Sequence, residues 1–314
     1  MNKGVSIIIP FYNEAAGISA LVGSLNDFFH SKNEIPIEII FVNDGSTDPS
    51  LDLLTQQAFG NYHARVVSFS RNFGSHAALR AGIQQASMEH ITFLYADLQD
   101  PLSLVYELNA KAQQGADIVW AHRDKTNNSF FEQLFSGFYA RLMQRFAFSD
   151  FPDKGFDIVL FNTKIAEELN KNVEANSNIF LQILGMGYKQ TSVSYEKKER
   201  SIGQSKWTIS KKIKMLIDSF VAFSFAPIRF VSLVGILFFA FGIFWTIYII
   251  SRKLLYNDLA SGWPALTSIL LLGFGITNIG LGIIAEYLWR TLDASRKRPV
   301  FIVDKIIDLN SAGK

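Results

Sequence analysis

"IEIIFVNDGSTD", residues 37–48, is apolar apart from Glu38 as far as Val42 and then breaks into a polar, acidic turn. A strand with apolar residues on both faces must be covered on both, which is the condition of a parallel sheet packed between layers of helix. The flanking chain repeats the pattern in "VSIIIPFY", "ARVVSFS", "HITFLYAD" and "ADIVWAH". Helical stretches separate these runs, after Asn13, after Asp48, through "HAALRAGIQQA" and after Pro101. The alternation predicts an α/β domain with a doubly wound, mainly parallel sheet. Ligands of such sheets bind beyond the carboxyl ends of the strands. Those ends carry Asn13 and Glu14, Asn43 and Asp44, Arg71 and Asn72, and Asp97 to Asp100.

Several function classes are disfavoured at once. No G-x-G-x-x-G follows the first strand and no G-x-x-x-x-G-K-[ST] occurs, which argues against a dinucleotide oxidoreductase and a P-loop phosphotransferase. The turn "NDGSTD" is acidic instead; a carboxylate there can accept hydrogen bonds from a base or ribose, and the same residues also read as a tight turn with Asp48 capping the next helix. With no cysteine there are neither disulfides nor thiolate metal sites. The formal charge of +2 gives no case for nucleic acid as a partner. The first apolar run is too short for a secretory signal, so the first domain is expected in the cytoplasm.

The 49% apolar content is high for a soluble domain, and it concentrates late in the 314 residues. "FVSLVGILFFAFGIFWTIYII" carries no charge and is long enough to cross about 30 Å of hydrocarbon. A second charge-free run, 259–285, follows, with Trp263, Tyr287 and Trp289 as interfacial aromatics. A two-helix hairpin is predicted, with spans near 230–251 and 263–287. Lys206, Lys211, Lys212, Lys214 and Arg229 precede it and Arg290, Arg296, Lys297 and Arg298 follow it; the loop between has Arg252 and Lys253. The positive-inside rule therefore places both ends in the cytoplasm and the loop outside. Gly235, Gly242, Gly273, Gly275, Gly280 and Gly282 permit close helix contact, within one chain or in a homo-oligomer. Before the hairpin, apolar residues at 209, 213, 216, 220 and 223 share one helical face and lysines lie mostly on another, the pattern of an interfacial helix. The expected division is a catalytic domain over 1–205, an interfacial helix over 206–228, the hairpin over 229–289 and a basic tail over 290–314.

The motifs "IIIPFYNE", "VNDGSTD", "SRNFGSHAALRAGI", "ADLQDP", "RSIGQSKW" and "RKRPVFIVDK", in this order and with the hairpin, span nearly the whole chain. Together they resemble the family 2 glycosyltransferases of GT-A fold, and within them the polyprenyl-phosphate glycosyltransferases that include dolichyl-phosphate mannose synthases and bactoprenol glucosyltransferases. The resemblance implies an inverting enzyme of the inner (plasma) membrane. It would move a hexose such as glucose from a nucleotide sugar, a UDP-sugar being favoured, to a polyprenyl phosphate, undecaprenyl phosphate in bacteria. It also implies that Pro10, Tyr12, Glu14 and Asp44 line the base and ribose pocket, that Arg71 lies near the nucleotide, and that Asp97 and Gln99 bind Mg²⁺ or Mn²⁺. Arg200, Ser205 and Lys206 would grip the acceptor phosphate, and Asp97, Asp157 and Arg200 would stand at the chemistry.

Alternate residues of an extended strand share a face, so the "D-L-Q" spacing is expected to turn Asp97 and Gln99 to one side. A solvated loop with Asp100 capping the helix behind Pro101 is the bland alternative. Two departures from the relatives stand out. They commonly show "DADLQ", and Tyr95 replaces the first acid; as an aromatic near the donor it is a further donor-binding candidate. They usually carry "GDFRL", whereas this chain has "GFDIVL", so that either Asp153 or Asp157 is left to orient the acceptor or act as base. The stretch "AHRDKTNNSF" is expected to shape sugar choice. Two rivals remain open, a glycosyltransferase with a glycan acceptor and a catalytically silent scaffold, the second kept alive by Tyr95.

Overall fold

The computed structural model describes residues 2–32, 34–123, 130–152, 155–174, 177–196, 223–224, 226–256, 262–296 and 298–310. In chain order the first part holds β1 (Asn2–Phe11), α1 (Ile18–Ser31), β2 (Ile37–Asn43), α2 (Ser50–Thr55), β3 (His63–Phe69), α3 (Ser75–Gln85), β4 (Met88–Phe93), α4 (Leu104–Gln113) and β5 (Ile118–Arg123). Then come α5 (Phe130–Phe146), β6 (Ile158–Asn162), α6 (Thr163–Lys171), α7 (Ile179–Gly185) and β7 (Gln190–Tyr195). The long helices α8 (Ala226–Tyr256) and α9 (Trp263–Arg296) follow, and β8 (Val303–Asp308) comes last.

The strands form one eight-stranded sheet in the order β7-β5-β6-β4-β1-β2-β3-β8. β1 pairs in parallel with β2 and β4, β2 with β3, and β5 with β7. The sheet is thus mainly parallel, as the apolar runs imply. Every residue of β2 is buried, and Ile7, Ile8, Ile9, Ile39, Ile40, Phe41, Phe93 and Phe161 are fully buried. At about 1.5–3 kcal/mol for each large side chain removed from water, these strands are a main source of the domain's stability.

Two antiparallel strands were not evident in the alternation. β6 runs against both β4 and β5. Its reversal matters for the site, because its beginning lies beside the carboxyl ends of its neighbours, with the Asp157 amide donating to the Ala121 carbonyl (3.1 Å). β8 belongs to the segment read from sequence as a basic tail, yet it pairs antiparallel with β3 and closes that edge of the sheet. Leu309 is buried there, and Asn310 accepts from the Ala64 amide (2.6 Å) and donates to the Tyr62 carbonyl (3.1 Å).

The chain divides into two compact units, Met1–Lys212 with Pro299–Lys314, and Ile213–Arg298. In the second unit α8 and α9 contain segments long and apolar enough to cross a membrane, Ala226–Trp245 and Leu272–Asp293. Both helices extend past the expected spans. Their apolar side chains are bare: Phe230, Leu237, Phe244, Phe274, Ile279 and Leu288 are each at least 60% exposed. Two core helices of a soluble protein would have these side chains covered. Of the glycines expected to admit close packing, Gly280 does so, a Cβ there lying 3.0 Å from Val231 Cγ1, while the other five have open space around them among the described residues. The Tyr287 hydroxyl donates to the Ser224 carbonyl (2.9 Å) and fastens the start of the hairpin to its end.

At the amino ends of the central strands, buried Glu38 accepts from Ser6 Oγ (2.6 Å), from Arg65 (2.8 Å) and from the Ser87 amide (2.9 Å). Removing one partner of such a buried pair leaves the others unsatisfied and costs about 3 kcal/mol or more. Glu38→Ala is therefore expected to lower the melting temperature of the purified chain by roughly 6 °C or more, while Glu38→Gln, which keeps an acceptor, loses less. Thermal unfolding followed by circular dichroism measures the difference.

Candidate functional site

The carboxyl ends of β1, β2 and β3 are laced together by short polar side chains. Asn13, in the left-handed region at φ 52°, accepts from the Thr47 amide (2.8 Å), and its own amide donates to Ser46 Oγ (3.0 Å). The Glu14 amide donates to Ser50 Oγ (2.8 Å), the Ala15 amide to Asp48 Oδ2 (3.1 Å), and the Ser46 amide to Asn43 Oδ1 (3.0 Å). Asp48 was expected to cap α2. It does take the Ser50 amide (3.1 Å), although Pro49 occupies the capping position itself. Most of the motif "NDGSTD" is therefore occupied in holding two loops in register, a use that spacing alone does not reveal.

Asp44 is the pivot of this edge. Its amide donates to the Phe11 carbonyl (3.0 Å), and its carboxylate accepts from the amides of Phe73 (2.7 Å) and Gly74 (3.0 Å), just ahead of α3. Gly45 beside it has φ +67°, and a Cβ there would stand 2.2 Å from the Arg71 carbonyl carbon, so only glycine fits. Arg71 lies over the Phe73 ring, 4.1 Å from guanidinium carbon to centroid. Asp44 and Arg71 are thus brought to one loop pair, with Pro10 in β1 and Tyr12 and Glu14 just beyond it, all three half-buried.

A second cluster stands at the ends of β4 and β5. Here one expectation fails. β4 ends at Phe93, and Asp97, Leu98 and Gln99 form a turn instead of a continued strand, with Leu98 at φ 55° and the Gln99 amide donating to Asp97 Oδ1 (3.3 Å). Strand alternation therefore does not set the directions of Asp97 and Gln99; a left-handed turn held by the Asp97 side chain does. Asp100 is not a helix cap either. It is buried, and Tyr195, the last residue of β7, donates its hydroxyl to Asp100 Oδ1 (2.7 Å).

Asp157 meets Arg123, the last residue of β5, at 2.6 Å with both side chains mostly buried. Burial alone would lower the Arg123 pKa, but the Asp157 carboxylate and then the Tyr195 hydroxyl hold it above its ordinary value. Tyr95 lies within electrostatic reach of this group. Burial first, and then Asp100, Asp157 and Asp97, raise its phenol pKa, so it stays a neutral donor. The replacement of an acid by tyrosine thus puts a neutral ring beside three carboxylates. Arg123 and Tyr195 were missed as site residues. Their positions at strand carboxyl ends are the signal that marks them, available once β7 is recognised as a strand.

Asp153, Arg200, Ser205 and Lys206, and the interfacial helix as far as residue 222, lie outside the described residues. Among the described residues no group of three or more His, Asp or Glu is arranged to hold a metal ion. Asp97 and Gln99 supply one carboxylate and one neutral carbonyl from either side of Leu98 in the turn, a donor set that suits a hard cation taking its remaining oxygens from phosphate and water.

The Asp44 carboxyl has its pKa raised, because burial outweighs the Phe73 and Gly74 bonds that lower it. The folded chain then holds this proton more tightly than the unfolded chain. That share of stability is complete below the ordinary value of 3.8 and is lost as pH rises through the higher folded value. Asp44→Asn keeps an acceptor and cannot ionise, so its melting temperature should fall less than that of the wild type between about pH 4 and pH 7. Parallel melting curves across that range check the sign.

Residues 6–170 match the family model described as glycosyl transferase family 2. The chain is 33% identical over 301 residues to the uncharacterized glycosyltransferase YkcC of Bacillus subtilis (strain 168), covering 96% of this chain and 93% of that protein. It is 28% identical to the prophage bactoprenol glucosyl transferase homolog of Escherichia coli (strain K12), over 96% of this chain and 99% of that one. It is 29% identical to the undecaprenyl-phosphate 4-deoxy-4-formamido-L-arabinose transferase of Yersinia pestis (strain Pestoides F), over 97% and 94%. Among solved structures, the mannosyltransferase PcManGT of Pyrobaculum calidifontis, in complex with GDP-Man and Mn²⁺, matches at 16% identity with a TM-score of 0.47, over 92% of this chain and 88% of that one.

Proposed function

Because the chain belongs to glycosyl transferase family 2, we propose that it transfers a hexose from a nucleotide sugar to a polyprenyl phosphate at the cytoplasmic face of a membrane, with inversion at the anomeric carbon. The observation that carries this reading is the joining, in one chain, of two polar clusters at the carboxyl ends of a parallel sheet with two helices of membrane-spanning length. The resemblance in full length to relatives named for bactoprenol and undecaprenyl phosphate supports the acceptor class. β8 follows the hairpin in the chain and yet pairs with β3, which fits an even number of crossings, with both ends on one side. The excess of Lys and Arg before and after the hairpin supports the cytoplasm as that side.

In this reading Pro10, Tyr12, Glu14, Asp44 and Arg71 receive the nucleotide, with UDP as the favoured base and diphosphate. A divalent metal, when bound by Asp97 and Gln99, neutralises charge on the diphosphate. An oxygen of the acceptor phosphate attacks the anomeric carbon, the bond from that carbon to the diphosphate oxygen breaks, and the nucleoside diphosphate leaves with the electron pair. A phosphomonoester is already largely dianionic near neutral pH, its second pKa being about 6. No side chain has to remove a proton from it. What the acceptor needs is positive charge and orientation.

Arg123 supplies the charge within the described residues, and Arg200, Ser205 and Lys206 supply more from the segment before the hairpin. Asp157, its carboxylate held by Arg123, acts by aiming that guanidinium instead of serving as a base. Tyr95 donates its neutral hydroxyl towards the donor.

Purified full-length protein with undecaprenyl phosphate, a panel of nucleotide sugars and Mn²⁺ should form a glycosylated lipid. Transfer only to a soluble glycan would replace the acceptor, and no transfer with any donor would point to a silent scaffold. Asp97→Asn is expected to reduce transfer about 100-fold or more. Asp157→Asn should slow transfer by about tenfold and leave the acid limb of the pH profile in place, whereas loss of that limb would identify Asp157 as a base.

A further inference from the structure

We infer that Phe301, in the segment that follows the second long helix, is a positioning residue for the nucleotide donor. The inference rests on the proposed donor role of Asp44 and Arg71 and extends it to a residue far along the chain from both. Phe301 stacks on Phe69, with ring centroids 5.1 Å apart and planes inclined by 15°. Phe69 is the buried last residue of β3 and meets Phe73 edge-on, at 5.7 Å and 89°. The Phe73 ring in turn carries the Arg71 guanidinium at 4.1 Å, and its amide donates to Asp44 at 2.7 Å.

Asp44 and Arg71, two of the polar groups assigned to the donor, therefore both rest on one aromatic residue, Phe73, and the rings behind it end in Phe301. The backbone brings Phe301 to this place. The Ser70 amide donates to the Ile302 carbonyl (3.2 Å), and the β3–β8 register shifts between Ser68 and Phe69, where the chain turns towards the site. Arg71 and Asn72 are exposed, so the loop depends on the ring stack beneath it more than on cover from above. Without the Phe301 ring one face of Phe69 is open, Phe73 gains freedom to tilt, and Arg71 loses its fixed seat. A stacked ring pair is worth a factor of about 3 to 10 in an equilibrium.

The test compares Phe301→Ala, Phe301→Tyr and Asn310→Ala in the full-length protein. UDP binding is measured by isothermal titration with Mn²⁺ present, and KM for donor and for undecaprenyl phosphate is measured separately. Phe301→Ala should weaken UDP binding and raise the donor KM by about 3- to 10-fold, with the acceptor KM unchanged. Phe301→Tyr, which keeps the stack, should restore wild-type values. Asn310→Ala loosens β8 at its far end, where Asn310 bonds Ala64 and Tyr62, and should lower the melting temperature without touching UDP affinity.

Wild-type affinity in Phe301→Ala overturns the inference, as does equal weakening in Asn310→Ala, which would mean that only an intact edge strand matters. If Phe301→Ala does not fold, Phe301→Leu keeps the apolar bulk without the stack and should weaken UDP in the same direction; wild-type affinity in that variant overturns the inference too. A wild type that binds none of UDP, GDP, ADP, CDP and dTDP removes the donor-site reading itself.

Discussion

The carboxylate of Asp44 joins three strand ends that the sequence sets far apart. Its backbone is tied to the end of β1, its own position is the end of β2, and its oxygens hold the amides that follow β3. A buried acid is costly to keep charged, and here burial does outweigh the two hydrogen bonds in setting its pKa. The cost is tolerated because the same group fixes the geometry of the whole crevice edge. A neutral side chain that held the same two amides would not offer a charge to a ligand, which is the difference between a structural turn and a candidate binding turn.

The second half of the crevice is organised by different means. At the ends of β4 and β5 the described residues form a group of side chains of opposite sign, Arg123 and Asp157 in direct contact and Asp100 held by Tyr195. Such a group is sensitive to the sum of its charges. Tyr95 contributes a buried neutral ring beside the carboxylates of Asp100, Asp157 and Asp97, and adds no further negative charge to that sum. The reversal of β6 is what makes the cluster possible, since a parallel strand at that position would carry Asp157 at the amino ends of β4 and β5.

The returning strand β8 gives the C-terminal segment a structural role that its basic composition hides. Its pairing with β3 makes the chain after the hairpin part of the same sheet as the chain before it. Its aromatic neighbour Phe301 reaches the loop that carries Arg71, through Phe69 and Phe73. An edge strand left open would also be a liability for aggregation, and β8 covers that edge.

The α/β class, the parallel centre of the sheet and the two long apolar helices are legible in the sequence alone. Each depends on a local pattern, doubly apolar strand runs or an uncharged stretch of span length, that no distant contact can reverse. Polar groups at the carboxyl ends of apolar strands also marked Asp44, Arg71 and Asp97 as candidates, and the family resemblance added Asp157. Tertiary structure alone decided the rest. The antiparallel course of β6 and β8, the left-handed turn at Leu98, the partnership of Arg123 with Asp157 and of Tyr195 with Asp100, and the stack that joins Phe301 to Phe69 all pair residues distant in sequence or depend on a backbone angle. A periodic pattern records which side of an element is buried, but it does not record what that side will meet.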